Sequence, residues 1–237
     1  MESSVRGARR SVIIVFNGPP GSGKDQACDV LSKTSSFAHL SFKEQLFKET
    51  FKYFGVSKGW FMKGYNDRSV KEMPVPQLKV NGKKLSRRQA MIHVSENYLK
   101  PKYGKSIFGD KLVSEMCGKD QTICVSDGGF SEELQPIINR FGIDDLIVVQ
   151  LTREGCNFSG DSRRYLQGNL VDQFILGHET FIDSQYIIDL NIEVPTYRIH
   201  NNDSVERFNQ TVLKVYKKAI NDRKENKTQQ VRAENTT

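Results

Sequence analysis

Long apolar runs and patterned cysteines are both missing from this chain of 237 residues. No stretch approaches the ~18 apolar residues of a membrane span, and residues 1–10 lack the pattern of a secretory signal. The four cysteines are scattered without metal-ligand spacing, which predicts reduced thiols in a cytoplasmic protein. Internal repeats are absent as well. These absences argue against a helical membrane protein, a disulfide scaffold and a repeat array.

The composition that remains is typical of a soluble globular protein. Hydrophobic residues make up 37% of the chain and charged residues 27%, which is enough apolar material for a core. The length predicts one domain, with or without an inserted subdomain.

The net charge of +7 is unevenly distributed along the chain. Residues 79–111 hold nine Lys or Arg against two acidic residues, and both chain ends are also basic. Such a distribution could meet a polyanion, although a solvated basic face with flexible ends would have the same composition.

A glycine-rich segment directly after the first apolar run is the most informative feature. Its residues are Gly18, Pro19, Pro20, Gly21, Ser22, Gly23, Lys24 and Asp25. The pattern G-x-x-x-x-G-K between a strand and a helix predicts a phosphate-binding loop, in which backbone N–H groups, a helix N-terminus and a lysine face a triphosphate. Most such loops carry Ser or Thr as a magnesium ligand where this chain has Asp25.

Strand and helix patterns alternate along the chain. Strands are predicted at 11–17, 37–41, 122–126, 146–151 and 196–200, and helices at 23–34, 42–54, 87–99, 106–117, 131–140 and 204–221. The alternation predicts a doubly wound parallel α/β sheet. Residues 55–85 have no clear period and are predicted to form a long functional loop or small insertion, and residues from about 222 to 237 a disordered basic tail.

Two aspartates are candidates for catalysis and metal binding. Asp127 ends a predicted central strand, where ligands bind in open α/β sheets, and Asp25 adjoins Lys24. Either carboxylate could hold Mg²⁺ or accept a proton from the substrate, and the sequence does not separate these roles.

Several arginines are candidates for contacts with phosphate. Arg153, Arg163 and Arg164 follow the strand 146–151 and would suit a lid that closes over a nucleotide. Arg87 and Arg88 begin a helix and could hold an acceptor phosphate or a DNA backbone. Aromatic residues alternate with lysines nearby, and this pattern fits either base stacking or core packing: Tyr98, Tyr103 and Phe108 among Lys100, Lys102 and Lys105.

Taken together, these motifs resemble the bacteriophage branch of the P-loop nucleotide kinases. This branch includes deoxynucleoside monophosphate kinases and kinases that phosphorylate 5-hydroxymethyluracil within DNA. The resemblance covers most of residues 11–220 and rests on short motifs: G-S-G-K-D (21–25), S-F-K-E-Q-L-F-K (41–48), S-R-R-Q-A (86–90), Ser126-Asp127, T-R-E (152–154) and N-N-D-S (201–204).

The resemblance implies an ATP- and Mg²⁺-dependent kinase domain over residues 11–221, preceded by a flexible N-terminus at 1–10. It implies a helical acceptor-side insertion at about 55–105 and a lid at about 153–180. It also implies acceptor contacts from Phe42 and Lys43, a nucleotide contact from Asn202, and metal binding by Asp25 and Asp127. The expected location is the cytoplasm of the host cell.

One departure from the family pattern bears on the acceptor. Monophosphate kinases of this branch tend to have an arginine two residues after the strand-end aspartate, and here that position is Gly129. This favours a hydroxymethyl group in DNA as the acceptor over a free deoxynucleoside monophosphate, although Arg87 or Arg88 could supply the missing contact. A nucleotide-binding regulator or a DNA-dependent ATPase without an acceptor is a further alternative.

Overall fold

The computed structural model describes residues 12–34, 37–67, 69–117 and 121–234. The predicted flexible N-terminus at 1–10 lies outside them. The described residues form two compact units. Unit 1 contains those up to Leu40, Met116–Ser131 and those from Ile137 onward, and unit 2 contains Ser41–Glu115 and Glu132–Pro136.

The secondary structure of the described residues is as follows. The strands are β1 Ile13–Asn17, β2 Phe37–Leu40, β3 Val75–Val80, β4 Lys83–Leu85, β5 Thr122–Gly128, β6 Leu146–Thr152, β7 Tyr165–Gln167, β8 Asn169–Leu176, β9 Ile187–Asp189 and β10 Pro195–Asn201. The helices are α1 Lys24–Ser32, α2 Phe42–Phe54, α3 Lys58–Asn66, α4 Arg87–Ile92, α5 Lys100–Tyr103, α6 Ile107–Met116, α7 Ser131–Phe141 and α8 Val205–Glu234. A π-helical segment, His93–Leu99, joins α4 to α5.

The main sheet of unit 1 has six strands in the order β2-β5-β1-β6-β10-β8. Every neighbouring pair is parallel. From β1 the chain adds strands in both directions, which makes the sheet doubly wound, as the sequence predicts.

The core of unit 1 forms because its central strands are apolar throughout. All of β1 and β6 is buried, as expected of strands covered on both faces. Helices α1 and α8 pack together and contribute Leu31, Phe208 and Val212 to one cluster with strand residues such as Ile14 and Val149. This packing fixes the start of α1 relative to the carboxyl ends of the strands.

Unit 2 has a separate core. Phe47, Phe61 and Leu78 are buried there together with residues of α4. Ser86 begins α4 with a reciprocal capping box, in which its side chain accepts from Gln89 N and the Gln89 side chain accepts from Ser86 N.

Three sequence predictions concern loops and tails. Residues 55–85, predicted as a long loop or a small insertion, contain α3 and the β3–β4 hairpin, so the loop alternative is wrong. The segment 153–180, predicted as a lid, includes β8, which pairs with β10 in the main sheet, and residues 153–164 precede β7 as a connection. The tail predicted to be disordered from 222 continues α8 to Glu234.

Candidate functional site

The carboxyl ends of three central strands meet where the glycine-rich loop begins. Asn17, the last residue of β1, lies opposite Gly128 of β5 on one side and Gln150 of β6 on the other. In parallel α/β sheets this edge is where ligands bind. The fold therefore places the loop Gly18–Asp25 at the edge expected for function.

Asn17 holds this edge together, although the sequence analysis did not select it. Its buried amide donates to Gly128 O at 3.0 Å and Arg164 O at 2.8 Å, and its oxygen accepts from Leu166 N at 2.8 Å. The available signal was a polar residue that directly follows a wholly apolar run, since a buried amide needs partners.

The start of α1 differs from that of three helices in unit 2, α2, α3 and α4. Gly23 at its N-cap has no side-chain hydrogen bond, whereas serines cap α2, α3 and α4. The first N–H groups of a helix have no partner within the helix, and together with the helix dipole they favour an anion. The described geometry of α1 thus fits a phosphate group at its N-terminus.

Lys24 is nearly buried within the loop, with 8% of its surface exposed. Its Nζ donates to Pro19 O at 2.7 Å, and Ser22 Oγ donates to the same carbonyl at 2.9 Å. The loop therefore holds the ammonium group against its own backbone.

Charged side chains of both signs act on Lys24. Burial, followed by the positive charge of Arg163, lowers the pKa of Lys24 to about 8, and three carboxylates partly offset this shift. These carboxylates belong to Asp25, Asp127 and Asp161. The structure thus brings together four of the residues selected from the sequence and adds Asp161.

The two candidate metal ligands have different surroundings. Asp25 is exposed in the first turn of α1, and Asp127 is half-buried near the end of β5. Within the part of the chain that the structure describes, no three His, Cys, Asp or Glu side chains converge. Two carboxylates still fit Mg²⁺, which is usually held by one or two carboxylates together with waters and substrate phosphates.

The three arginines after β6 are placed differently from one another. Arg163 makes two hydrogen bonds to the Asp161 carboxylate, at 3.0 and 2.6 Å. Arg164 turns back to donate to Asp161 O and Arg163 O, and its guanidinium lies 5.5 Å from the centre of the Tyr186 ring. Arg153 is exposed. Arg163 is the arginine whose charge acts on Lys24.

The side chain of Arg163 packs directly against Gly129. A Cβ atom at position 129 would lie 2.6 Å from Arg163 Cγ and 2.7 Å from its Cβ and Cδ, so a side chain there would displace the arginine. An arginine side chain therefore lies at the strand end after all, supplied from position 163 rather than 129.

Two adjacent asparagines end β10 and start the turn that follows. Asn201, which was not selected as a site residue, donates to Ser22 O at 2.9 Å and so supports the loop. The Asn202 oxygen accepts from Glu154 N, and its nitrogen donates to His178 O and Thr180 Oγ1. These bonds give Asn202 a role in joining two connecting segments.

The predicted acceptor residues of unit 2 lie on α2 and α4. Phe42 is buried, and the Lys43 ammonium is 4.9 Å from the Tyr65 ring centre. Arg88 is exposed, with Glu72 3.9 Å away.

Arg87 is a buried cation, with 8% of its surface exposed. Its guanidinium lies 4.7 Å from the centre of the Trp60 ring and directly against Gly64, where a Cβ atom would overlap it. Among the described residues its Nε has no hydrogen-bond partner, and none of the ion pairs found there includes Arg87. Buried charges usually have a partner, so this site is suited to an anionic group.

The described residues of unit 1 form an α/β fold with a doubly wound parallel sheet, and a glycine-rich loop of the phosphate-binding pattern joins β1 to α1. No protein-family model matches the chain, and no curated protein matches it. Among solved structures, it is similar to a protein from Chloroflexus aurantiacus J-10-fl, described as a "putative kinase", with 10% identity and a TM-score of 0.42 over 90% of this chain and 100% of that one. Similarity at this level carries no argument about activity.

None of the helices in the described ranges is both long and apolar enough to cross a membrane.

Proposed function

We propose that the protein is an ATP- and Mg²⁺-dependent phosphotransferase. The observation that carries this proposal is the charged group around Lys24 at the carboxyl ends of β1 and β5. It combines a buried lysine, two carboxylates, an arginine and a helix N-terminus without a side-chain cap. Phosphoryl transfer depends mainly on positioning and on charge stabilisation, and these are the groups that supply both.

The chain's own residues have separable roles in this reaction. The loop N–H groups and Lys24 bind the outer phosphates, and Arg163 exchanges Asp161 for oxygens of the migrating phosphoryl group. Asp25 and Asp127 divide the remaining work: one holds Mg²⁺, which when bound screens phosphate charge, and the other accepts the acceptor's proton. The bond from the γ-phosphorus to ADP breaks as the bond from the acceptor oxygen to that phosphorus forms.

The acceptor we propose is the hydroxymethyl group of 5-hydroxymethyluracil in DNA. An alcohol has a proton to lose, which gives the second carboxylate a task. The concentration of basic residues at 79–111 suits a polymeric polyanion. A target base in duplex DNA would have to leave the stack, at a cost of a few kcal/mol.

Labelled ATP offered with two acceptors tests this proposal. We expect γ-labelled phosphate to be retained on DNA that contains 5-hydroxymethyluracil, and not on the same DNA with thymine. Label only in free phosphate would instead indicate a DNA-dependent ATPase or a regulator, and would refute the transferase.

A lysine exchange tests the donor site independently of the acceptor. Lys24→Ala should lower the transfer rate by at least about 10²–10³-fold, because it removes a charge that acts on the phosphates. Lys33→Ala is the matched control, since Lys33 is exposed at the other end of α1. Near-normal transfer by Lys24→Ala would show that the loop is wrongly assigned.

Arg87 favours a second candidate, a deoxynucleoside monophosphate kinase. A buried guanidinium with no acidic partner among the described residues would suit the monophosphate of a free nucleotide. Arg163 beside Gly129 also weakens the inference that no arginine is available at the strand end.

The two candidates differ in what an Arg87 exchange does. If the acceptor is a free deoxynucleoside monophosphate, wild type should produce the diphosphate. Arg87→Gln should then raise the KM for the monophosphate at least tenfold. If the acceptor is the DNA base, no deoxynucleoside diphosphate forms with either protein. Arg88→Gln is the control, since Arg88 is exposed.

A further inference from the structure

The β3–β4 hairpin of unit 2 carries lysines in an arrangement that costs stability. Asn81 and Gly82 form its turn with φ values of 48° and 80°, as expected of the tight turns that join antiparallel strands. Lys79 pairs directly with Lys84 across the strands. Like charges in directly opposed positions are destabilising.

Nothing within the described structure neutralises these lysines. Lys79, Lys83 and Lys84 are all exposed, and none of the ion pairs among the described residues includes them. An anionic partner from outside the chain would relieve this repulsion.

A groove of about 460 Å³ lies beside the hairpin. Val80, Lys83 and Leu85 line it from the strands, and Ile92, His93 and Asn97 line it from α4 and the π-helical segment. Ile92 is 50% exposed. Lys83 is the cation beside this apolar surface. Lys79 and Lys84 do not line the groove: they alternate with Val80 and Lys83 along the strands and so lie on the opposite face of the hairpin.

Exposed aromatic rings continue this surface beyond His93. Tyr53 OH lies 3.1 Å from His93 Nε2, and the rings of Tyr53 and Tyr98 are 4.9 Å apart between centres. Tyr103 is 51% exposed, with the Lys102 ammonium 4.9 Å from its ring centre. Phe108, by contrast, is buried, so the aromatic residues of this segment divide into surface and core.

We propose that unit 2 binds a single-stranded stretch of DNA that passes around the β3–β4 hairpin, with phosphates on the lysines of both hairpin faces and bases on the exposed rings beside the groove. Nucleic acid is the polyanion that also presents flat apolar groups, and aromatic rings among cations are how proteins hold single strands. The choice of DNA rests on the proposed function. We call this surface the DNA face, formed by β3–β4, the groove, Tyr53, His93, Tyr98, Lys102 and Tyr103.

Binding of a fluorescein-labelled 20-nucleotide single strand, followed by anisotropy without ATP, tests the proposal. The full chain carrying Lys79→Gln, Lys83→Gln and Lys84→Gln should lose affinity at least tenfold. The slope of log K against log salt should become shallower by about 2, because three phosphate contacts are removed. The melting temperature should not fall, since the exchange removes like-charge repulsion.

A matched triple exchange controls for general charge. Lys214, Lys217 and Lys224 are exposed on α8, so their exchange to Gln removes the same charge from unit 1. This variant should keep affinity within about twofold of wild type. An equal loss in both triple variants, or no loss in the hairpin variant, would overturn the proposal.

The aromatic part of the proposal needs its own variant. Tyr103→Ala should weaken binding about fivefold or more with little change in salt slope, and Tyr103→Phe should bind as wild type, because the ring stacks. Equal sensitivity of a duplex of the same sequence to Tyr103→Ala would contradict single-strand binding.

Failure of this inference is separable from failure of the proposed function. Lys24→Ala should bind the strand as wild type does while its transfer rate falls by at least about 10²–10³-fold. Transfer to DNA that survives unchanged in the hairpin variant would refute the DNA face and leave the kinase intact. DNA binding that depends on the hairpin lysines, without any phosphoryl transfer, would refute the proposed kinase and leave the DNA face intact.

Discussion

The Lys24 side chain is nearly buried, and burial lowers its pKa into a range where its charge depends on pH. Its pKa of about 8 lies below the ordinary 10.5 because of burial and, second, Arg163. Between these values the unfolded chain binds more protons than the folded one, so the contribution of Lys24 to the free energy of unfolding rises with pH.

The lowered pKa predicts proton uptake when a nucleotide binds. Phosphates favour the charged ammonium and raise its pKa, so binding of an ATP analogue near pH 8 should draw a proton from the buffer, and affinity should fall as the pH rises above 8. Calorimetry in buffers of different ionisation enthalpy measures this uptake. Lys24→Met should lose it and Lys33→Met should not; uptake that persists in Lys24→Met would assign the proton to another group.

Gly129 leads to a second prediction at the same scale. Because a Cβ atom there would lie 2.6 Å from Arg163, Gly129→Ala should displace the arginine, lower the free energy of unfolding by about 1–3 kcal/mol and reduce transfer at least tenfold. Chemical denaturation and the transfer assay measure the two effects.

Gly59 provides the control for that exchange. A Cβ atom at Gly59 in α3 would meet nothing within 4 Å, so Gly59→Ala should leave transfer unchanged and add up to about 1 kcal/mol through helix propensity. If both alanine variants behave alike, the contact between Gly129 and Arg163 has no consequence.

At the scale of elements, the C-terminal part of α8 is fastened by one acidic residue. Asp145 is buried just before β6, and both Arg223 and Lys227 pair with its carboxylate, the latter at 3.2 Å. Composition alone predicted disorder here, because the sequence beyond 222 is polar. The residue that pairs with its cations, Asp145, lies far earlier in the chain.

Asp145→Asn should therefore loosen the last turns of α8. Hydrogen exchange should speed up from about residue 222 onward, and the free energy of unfolding should fall by about 1–3 kcal/mol, because two cations lose their partner. Asp144→Asn is the matched control, since that side chain is exposed and only its backbone oxygen contacts Arg223. Equal exchange rates in the two variants would contradict the role of Asp145.

The sequence predicted best those elements whose pattern lies within their own residues. The run before Gly18 and the pattern of Gly18–Lys24 predicted β1, the loop and α1, and the alternation of patterns predicted the parallel sheet. The hairpin was missed although Asn81-Gly82 is a strong turn signal, because Pro76 and scattered lysines obscure the strands around it.

Other features depend on contacts that no local pattern records. Strand β8 has an alternating, largely exposed pattern as an edge strand, and it was read as part of a lid. Asn17 and Asn201 hold the loop through bonds to residues more than a hundred positions away. Distant hydrogen bonds of this kind leave no periodic trace in a single sequence.

At the scale of the whole molecule, the P-loop and its surrounding charges belong to unit 1, which has its own core. A ligand that binds only the folded state stabilises it by about 2.7 kcal/mol at one hundred times its Kd. A non-hydrolysable ATP analogue should therefore raise the melting temperature of the transition that includes α1. Differential scanning calorimetry with and without the analogue measures the shift, which Lys24→Met should abolish and Lys33→Met should retain.

The π-helical segment His93–Leu99 has a consequence for how this chain can differ in length from its relatives. Each π turn takes up about one residue more than an α turn, because its hydrogen bonds run from i to i+5. An inserted residue in an ordinary helix would rotate everything beyond it by about 100°. A wider turn absorbs the insertion, so we expect relatives one residue shorter at this point to keep Tyr103 facing the same way.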